Sequence, residues 1–257
     1  MRKVFLNEFS SSELERMIGA GEIESAIAIF GSCESHGPHL PLGPDLFVPT
    51  EIARRAALRL GRTVVVPGLP FGTSLHYNRF PLSATLRFET TIAVAEDIFT
   101  SLIENVIRRI VILNGHDGNI PALEIAARKV KDRFPDATLV YLPAWWNITG
   151  ARMADDFEVW NGLGHGGEGE TSIMMAVRPD LVDLTRAKSQ VPHDVIALSD
   201  FATVVWDIGE ITATGATGDP TKASQEKGEK MLRCVEDYLV GLIEELERRG
   251  WRYDLKK

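Results

Sequence analysis

The sequence predicts an α/β fold in which helices cover both faces of a mainly parallel sheet. Short apolar runs of strand length alternate with longer segments whose apolar residues recur at helical spacing. Strands separated by helices of this length are typical of βαβ units, whose strands run parallel. Polar clusters follow the strand-like runs, which is where ligands bind in such sheets. The 257 residues contain no evident linker or internal repeat, so a single domain over 1–257 is expected.

Four apolar runs bounded by turn residues predict buried strands. They are rich in Ile, Val and Leu and lie at residues 25–30, 63–66, 110–113 and 138–142. Pro67 is expected to end the second strand, and the Asn114-Gly115 pair the third.

Helices are predicted where apolar residues recur at helical spacing, at residues 10–19, 48–60, 90–106, 121–134 and 228–249. Serines cap the first of them, and Pro121 suits the first turn of the fourth. Residues 143–170 are interpreted as one long Gly- and Trp-rich connection, which is typical of a functional loop. Residues 173–177 begin a helix or a strand. The polar, Gly-rich stretch 187–227 is left unassigned.

Composition and charge exclude several classes of function. The net charge is -8 and Lys and Arg are scattered, so nucleic acid is not an expected partner. No apolar run approaches the length of a membrane span, and no signal peptide is evident. The two cysteines, Cys33 and Cys234, form no CxxC pair, which fits a reducing compartment. A cytoplasmic protein with no membrane partner is expected.

The first of three polar clusters is GSCESHGPHLPLGPD, which contains Glu34, His36, His39 and Asp45. Glu34 and His36 are two residues apart, so in an extended segment both side chains lie on one face. Carboxylate and imidazole groups together suit Zn, Mn, Fe or similar cations. On spacing alone, a polar loop with a capping Asp explains this cluster equally well.

The second cluster is NGHDGN, residues 114–119, in which His116 lies at the mouth of a predicted strand. Taken alone, His116 is most simply a hydrogen-bonded structural residue. The third cluster is HGGEGETS, residues 165–172, which offers His165, Glu168 and Glu170 among glycines. A flexible loop that leads into a helix is the alternative interpretation of this cluster.

Together the three clusters resemble those of the creatininase family, the creatinine amidohydrolases and their relatives. Their order and spacing extend the resemblance over most of residues 25–177. The resemblance implies a three-layer α/β/α sandwich, often assembled as a homohexamer, that acts on a small-molecule substrate. It also implies two divalent metal ions per subunit, Zn, Mn or Fe.

The resemblance assigns metal ligands to positions of this sequence. Asp45 is the expected bridging carboxylate. Glu34 and His116 complete one metal site, and His36 completes the other together with a further carboxylate. Creatininase supplies that carboxylate two residues after the His of the second motif.

That position in this chain is Gly118, which has no side chain to offer. Glu170 is the expected substitute. His165 matches a His near the substrate in creatininase, and it is the expected catalytic proton shuttle. Ser74 matches a substrate-contacting Ser.

Other residues are expected to line or support the substrate pocket. Asp117 or Glu168 would orient His165 or the substrate. Trp145, with Trp146 and Trp160, would wall the pocket, although indoles in the protein core are an equally good interpretation. His39 is expected to support a metal ligand from behind.

The loop after Ser74 departs from the family pattern. Relatives often have a His three residues later, followed by Phe-Pro-Gly-Thr. Here Tyr77 takes the position of the His, and Leu82 replaces the Gly. Since this loop shapes the pocket, a substrate other than creatinine is expected.

The expected reaction is hydrolysis of a carbonyl compound by a metal-activated water, with a cyclic amide or formamide C–N bond as the target. Hydrolysis of a ring C–C bond in a diketo-cyclitol by the same site is the alternative within the enzyme class. A non-catalytic protein that binds a metal or a small molecule is the alternative outside it.

Overall fold

The computed structural model of the chain describes residues 2–192 and 204–252. Within these residues four parallel strands form one sheet in the order β2-β1-β3-β4. The strands are β1 Ser25–Phe30, β2 Thr63–Leu69, β3 Arg109–Asn114 and β4 Thr138–Leu142. β1 and β3 are neighbours although β2 lies between them in sequence. Their carboxyl ends therefore form the crevice at which such sheets bind ligands.

Seven α-helices surround the sheet in the described residues. They are α1 Ser11–Gly19, α2 Pro44–Leu60, α3 Phe88–Glu104, α4 Ile120–Arg133, α5 Trp145–Arg152, α6 Glu168–Val177 and α7 Gln225–Arg248. Helices α1, α3 and α4 pack on one face of the sheet, and α2, α5, α6 and α7 on the other. The three-layer α/β/α sandwich is confirmed.

The central strand β1 contributes to both hydrophobic cores, because successive side chains of a strand point to opposite faces. Ile27 and Ile29 belong to the core beneath α2 and α7. Ala26, Ala28 and Phe30 belong to the core beneath α3 and α4. All six residues of β1 are buried, which explains why its sequence is apolar from Ala26 to Phe30 rather than alternating.

β2 and α2 extend three or four residues beyond their predicted bounds. β2 does not end at Pro67 but continues to Leu69. β2 is an edge strand, and its pairing with β1 shifts register near its end. Because Pro67 lies at this shift, its missing N–H group removes few hydrogen bonds between the strands. Helix α2 begins at Pro44, because proline suits the first helical position. This earlier start places Asp45 in the first helical turn.

The stretch 143–170 is not one long loop. It contains α5 and the beginning of α6, joined through short 3-10 turns at Ala154–Asp156 and Trp160–Gly162. The ambiguous segment 173–177 is the second half of α6. Of the unassigned stretch 187–227, residues 193–203 lie outside the described residues. The described remainder includes 3-10 turns at Ile208–Glu210 and Pro220–Lys222.

Two further expectations concern the environment of the protein. Both cysteines, Cys33 and Cys234, are free thiols. Among the helices of residues 2–192 and 204–252, none is long and apolar enough to cross a membrane.

Candidate metal centre

The candidate metal centre lies at the carboxyl ends of the two central strands. Glu34 and His36 lie in the loop after β1, and His116 lies directly after β3. Parallel strands end at the same edge of the sheet, so these two loops meet. Asp45 and Glu170 enter from the first turns of α2 and α6. The fold thus brings together all five residues that the sequence analysis expects to bind metal.

Two glycines let the start of α2 approach the strand ends. A Cβ atom on Gly115 would lie 1.9 Å from the carbonyl oxygen of Asp45, and one on Gly31 would lie 2.9 Å from it. Both contacts are too short for carbon and oxygen, so only glycine fits. Pro49 lacks the N–H group that a helix would otherwise direct to this carbonyl. The backbone of Asp45 is therefore packed against both central strands.

The carboxylate of Asp45 faces both imidazoles with different oxygens. Its Oδ1 lies 3.1 Å from Nε2 of His36, and its Oδ2 lies 3.2 Å from Nδ1 of His116. Glu34 presents Oε1 to the same Nδ1 of His116, also at 3.2 Å. The other oxygen of Glu34, Oε2, accepts a hydrogen bond from the hydroxyl of Ser32 at 2.9 Å. Placed in this way, Asp45 can bridge two cations, one beside each imidazole.

Backbone carbonyls orient both imidazole rings. Nδ1 of His36 donates to the carbonyl of Glu34 at 3.1 Å, and Nε2 of His116 donates to the carbonyl of Thr73 at 3.0 Å. A carbonyl oxygen can only accept, so these two nitrogens carry hydrogen. Nε2 of His36 and Nδ1 of His116 are left as the atoms that can bind a cation. Such an outer hydrogen bond is usual for metal-binding histidines.

Glu170 is held at the edge of this cluster by the loop that precedes α6. Its Oε2 accepts a hydrogen bond from the backbone N–H of Gly166 at 2.6 Å, and its Oε1 lies 3.9 Å from Nε2 of His36. Nε2 of His39 lies 3.0 Å from both the carbonyl of Gly166 and the hydroxyl of Thr171. His39 thus braces the loop that holds Glu170, in keeping with its expected supporting role.

Within residues 2–192 and 204–252, three overlapping groups of side chains could hold a cation. In each group the candidate ligand atoms lie within 4.8 Å of one another, and the groups are Glu34–Asp45–His116, His36–Asp45–Glu170 and Glu34–His36–His165. The first two groups share Asp45.

The charges of these groups favour bound cations. Glu34 and Asp45 are buried, and among the described residues no Lys or Arg lies within 4.0 Å of them or of Glu170. Oε1 of Glu34 and Oδ2 of Asp45 accept no hydrogen bond from any residue that the structure describes. Both of these oxygens face Nδ1 of His116. Buried charges are normally paired or coordinate metals, so the donor set fits a divalent cation at this position.

Without metal, protons on the imidazoles must supply the missing positive charge. Burial alone would lower the pKa of His36, but Asp45 and Glu170 outweigh it and raise this pKa to about 10. Burial likewise opposes protonation of His116, yet Glu34 and Asp45 hold its pKa well above the ordinary value. Burial raises the pKa of Glu170 to about 7 despite the nearby His36.

His165 lies beside the cluster, and its pKa is shifted in the opposite direction from those of His36 and His116. Burial and the nearby His36 ring lower the pKa of His165 to about 3, so it is neutral at neutral pH. Its Nε2 donates to the carbonyl of Ser35 at 2.7 Å and lies 3.8 Å from Oε1 of Glu34. The ring centroids of His165 and Tyr77 are 4.4 Å apart.

A cavity of about 360 Å³ opens onto the cluster. This volume suits a small organic molecule. Glu34, Asp45, His116, His165 and Glu170 line its floor. Its walls include several aromatic side chains, namely Tyr77, Trp145, Trp146, Trp160 and Trp206.

The four residues expected to contact a substrate have different surroundings. Asp117 and Trp145 line the cavity. Ser74 lies behind the cluster instead, fully buried, with its hydroxyl 2.6 Å from that of Ser32. Glu168 is fully buried and accepts hydrogen bonds from the backbone N–H groups of Glu158 and Val159.

Glu168 also forms an ion pair with Lys227 at 2.6 Å. Its carboxylate is therefore occupied by structural partners and is not among the groups that line the cavity. These contacts hold the loop that leads to Trp160. Trp160 and Asn161 have positive φ angles of 49° and 54°, which residues with side chains rarely adopt.

Two asparagines of the second motif brace the loops, a role that the sequence analysis missed. Asn114 donates to the carbonyls of His116 and Pro143, and Asn119 donates to the carbonyl of Gly31. Asn119 also accepts from the backbone N–H of Thr73, whose carbonyl orients His116. Asparagines two residues before and three residues after a strand-end histidine were the available signal.

The position of Gly118 excludes any side chain. A Cβ atom there would lie 2.1 Å from the carbonyl oxygen of Thr73 and 2.6 Å from Nε2 of His116. The hydrogen bond between Thr73 and His116 occupies this space. The carboxylate that the family resemblance leads one to expect at this position therefore cannot be accommodated without moving the backbone.

The sequence model of the creatininase family, described as creatinine amidohydrolase, matches residues 7–243. The chain is 30% identical to creatinine amidohydrolase of Pseudomonas putida, over 95% of this chain and 98% of the relative. It is 28% identical to mycofactocin precursor peptide peptidase of Mycobacterium tuberculosis, over 84% and 83% of the two chains. It is 26% identical to 3-dehydro-scyllo-inosose hydrolase of Thermotoga maritima, over 85% and 76%.

Solved structures agree with these sequence matches. A mutant creatininase of Zn-Zn type superposes with a TM-score of 0.82, at 28% identity, over 95% of this chain and 98% of that chain. Creatininase in a manganese form superposes with a TM-score of 0.83, at the same identity and coverage.

Proposed function

This chain belongs to the creatininase family of hydrolases, and on that premise we propose that it hydrolyses the carbon–nitrogen bond of an amide with two bound divalent cations. The observation that carries the proposal is the pair of orphaned oxygens on Glu34 and Asp45, both directed at Nδ1 of His116. Oε1 of Glu34 and Oδ2 of Asp45 each lie 3.2 Å from Nδ1 of His116, so the three atoms are arranged as ligands for a cation that replaces the proton on this nitrogen.

The two cations are assigned to two groups that share Asp45. Glu34, Asp45 and His116 hold one cation, and His36, Asp45 and Glu170 hold the other. Zinc or manganese is the proposed metal, since solved creatininases contain zinc or manganese and both accept mixed oxygen and nitrogen ligands. Glu170 replaces the ligand that Gly118 cannot provide.

When bound, the cations supply Lewis acidity and lower the pKa of water to about 7. The chain itself supplies a proton acceptor and a dry, shaped cavity. His165 is neutral at neutral pH, and its Nε2–H is held by the carbonyl of Ser35, so Nδ1 is the nitrogen with a free lone pair. We assign Nδ1 to receive a proton from the attacking water and to return it to the leaving nitrogen.

The amide bond is proposed over the ring C–C bond on the evidence of the relatives. Creatinine amidohydrolase, at 30% identity, and the mycofactocin precursor peptide peptidase, at 28%, are both named for C–N bond hydrolysis, and the inosose hydrolase is 26% identical. Cyclic amides and formamides are the proposed substrates. Creatinine is not favoured, because Tyr77 and Leu82 alter the loop beside the cavity.

The proposal is tested with zinc- and manganese-loaded protein and a panel of lactams, formamides and keto-cyclitols. We expect turnover of an amide and none of the cyclitols. Replacement of His165 by Gln should lower kcat by about 10²–10⁴ while the metal content stays unchanged. Activity confined to keto-cyclitols, or full activity after chelation, would contradict the proposal.

A further inference from the structure

The outer part of the cavity has aromatic walls and one free carboxylate. Trp146, Trp160 and Trp206 line it, and the latter two indoles are 42% and 41% exposed. Four acidic residues of the described chain line the cavity, and three of them are the proposed metal ligands. Asp117 is the fourth.

The carboxylate of Asp117 has no partner within the described chain. It makes no hydrogen bond or ion pair with any residue in 2–192 or 204–252, although it directly follows His116 and is exposed. A charged group that lines a cavity and is left unpaired is available to a ligand. The adjacent residues Asn114 and Asn119, in contrast, are fully used in bracing the loops.

No lysine or arginine is among the residues that line the cavity in the described structure. The stretch 193–203, which precedes Trp206, has the sequence HDVIALSDFAT and also contains neither. An anionic substituent in the outer cavity would therefore find Asp117 and no lysine or arginine among the described lining residues. The imidazole of His76 lies there as well, with its ring centroid 5.6 Å from that of Trp206.

We propose that the outer cavity binds a cationic nitrogen group of the substrate, with Asp117 as its counter-ion and the indoles of Trp160 and Trp206 as its walls. Aromatic faces attract ammonium and guanidinium groups, and a carboxylate adds a direct ion pair. A carboxylate on the substrate would be repelled by Asp117. The inference rests on the proposed function, because it places the scissile amide over the metal cluster. Asp117 is thus a specificity-determining residue.

Binding of a matched pair of probes tests this inference without turnover. Choline and its tert-butyl isostere have the same shape, but carbon replaces the quaternary nitrogen in the second. Each is titrated into the zinc-loaded full chain while indole fluorescence is recorded. We expect choline to bind about tenfold more tightly than the isostere, the range of a desolvated cation–π contact assisted by an ion pair.

Two variants separate a local effect of Asp117 from the net charge of the protein. Asp117→Asn should remove most of the difference between the two probes. Asp132→Asn removes the same charge at the far end of α4, where it is exposed, and should leave the difference intact. Equal affinity for both probes, or an unchanged ratio in Asp117→Asn, would overturn the inference.

Hydrolysis of three formamides gives a second test. N-formyl-ethylenediamine carries a cation, N-formyl-propylamine is neutral, and N-formyl-β-alanine carries an anion. We expect kcat/KM to fall in that order, and the ratio of the first two to shrink about tenfold in Asp117→Asn. If none of the three is hydrolysed, the proposed amide chemistry fails while the probe titration still decides the role of Asp117. Preference for the anionic formamide would contradict the inference.

Discussion

The backbone carbonyl of Asp45 occupies the space that a side chain at Gly115 would need. A Cβ atom on Gly115 would approach this oxygen to 1.9 Å. Gly115 immediately precedes His116. The glycine that permits the close approach of α2 therefore also sets the position of the His116 backbone. The distance between Asp45 and His116 thus depends on a glycine that offers no ligand itself.

Replacement of Gly115 by Ala is expected to separate Asp45 from His116. The added methyl group must displace α2 or the loop after β3, at a cost of about 1–3 kcal/mol or more for overpacking. Metal content and Tm should both fall. Gly241→Ala is the matched control, because nothing lies within 4 Å of a Cβ there and the site is on α7. It should leave metal content unchanged and keep or raise Tm. Full metal content in Gly115→Ala would show that the close approach is not needed.

Replacement of Glu170 by Gln is expected to remove one cation and spare the other. Glu170 belongs to the group with His36 and Asp45, whereas the group with Glu34 and His116 does not use it. Elemental analysis should give about one equivalent of metal per chain rather than about two. Retention of both cations would exclude Glu170 as a ligand.

Glu168→Gln is expected to keep both cations but to destabilise the cavity wall. The buried carboxylate of Glu168 binds Lys227 and two backbone N–H groups of the loop before Trp160. Removal of one partner of a buried ion pair typically costs about 3–5 kcal/mol. Tm should fall, and Lys227→Met should lower it as well. Since the two residues share one interaction, the double variant should lose less than the sum of the single losses. Loss of metal with unchanged Tm would instead indicate a direct role in the metal centre.

The stability of the metal-free protein is expected to decline as pH rises above neutrality. The pKa of His36 is raised from 6.5 to about 10 in the folded state. A raised pKa contributes stability that is fully present below the unfolded value and is lost as pH rises through the folded value. Between pH 6.5 and about 10 the Tm of the metal-free protein should therefore fall.

The zinc-loaded protein should show a smaller decline over the same range, because the cation replaces the proton on the imidazole. Zinc binding at neutral pH should release protons, which calorimetry in buffers of different ionisation enthalpy detects. Binding without proton release, or a metal-free Tm that rises over this range, would contradict the assignment of His36 and His116 as protonated.

Much of the fold could be predicted because helices cover both faces of the sheet, so the strands are short, mainly apolar runs. β1 and β4 have the predicted bounds, and the ends of β3, α3 and α4 differ from prediction by one or two residues. The early start of α2 was missed because Pro44 was taken as part of the preceding turn. Helix α5 was missed because its Trp-rich sequence has little amphipathic pattern. The homohexamer stays a prediction.

The candidate metal ligands could be named from the sequence, but the residues that hold the surrounding loops in place could not. Glu34, His36 and His116 carry a recognisable spacing in sequence. The partner of Glu168, by contrast, is Lys227 on a distant helix, and nothing in local sequence pairs them. Trp206 likewise comes from an irregular stretch that has no periodicity to interpret. Contacts of this kind depend on tertiary structure alone.

The most direct measurement of the central claim is the metal content of Asp45→Ala beside that of the unaltered chain. Asp45 is the one residue shared by the two groups to which a cation is assigned, the group with His116 and the group with His36. After loading with zinc and removal of free metal, we expect about two equivalents in the unaltered chain and almost none in the variant. A folded Asp45→Ala protein that retains about two equivalents would contradict the shared metal centre.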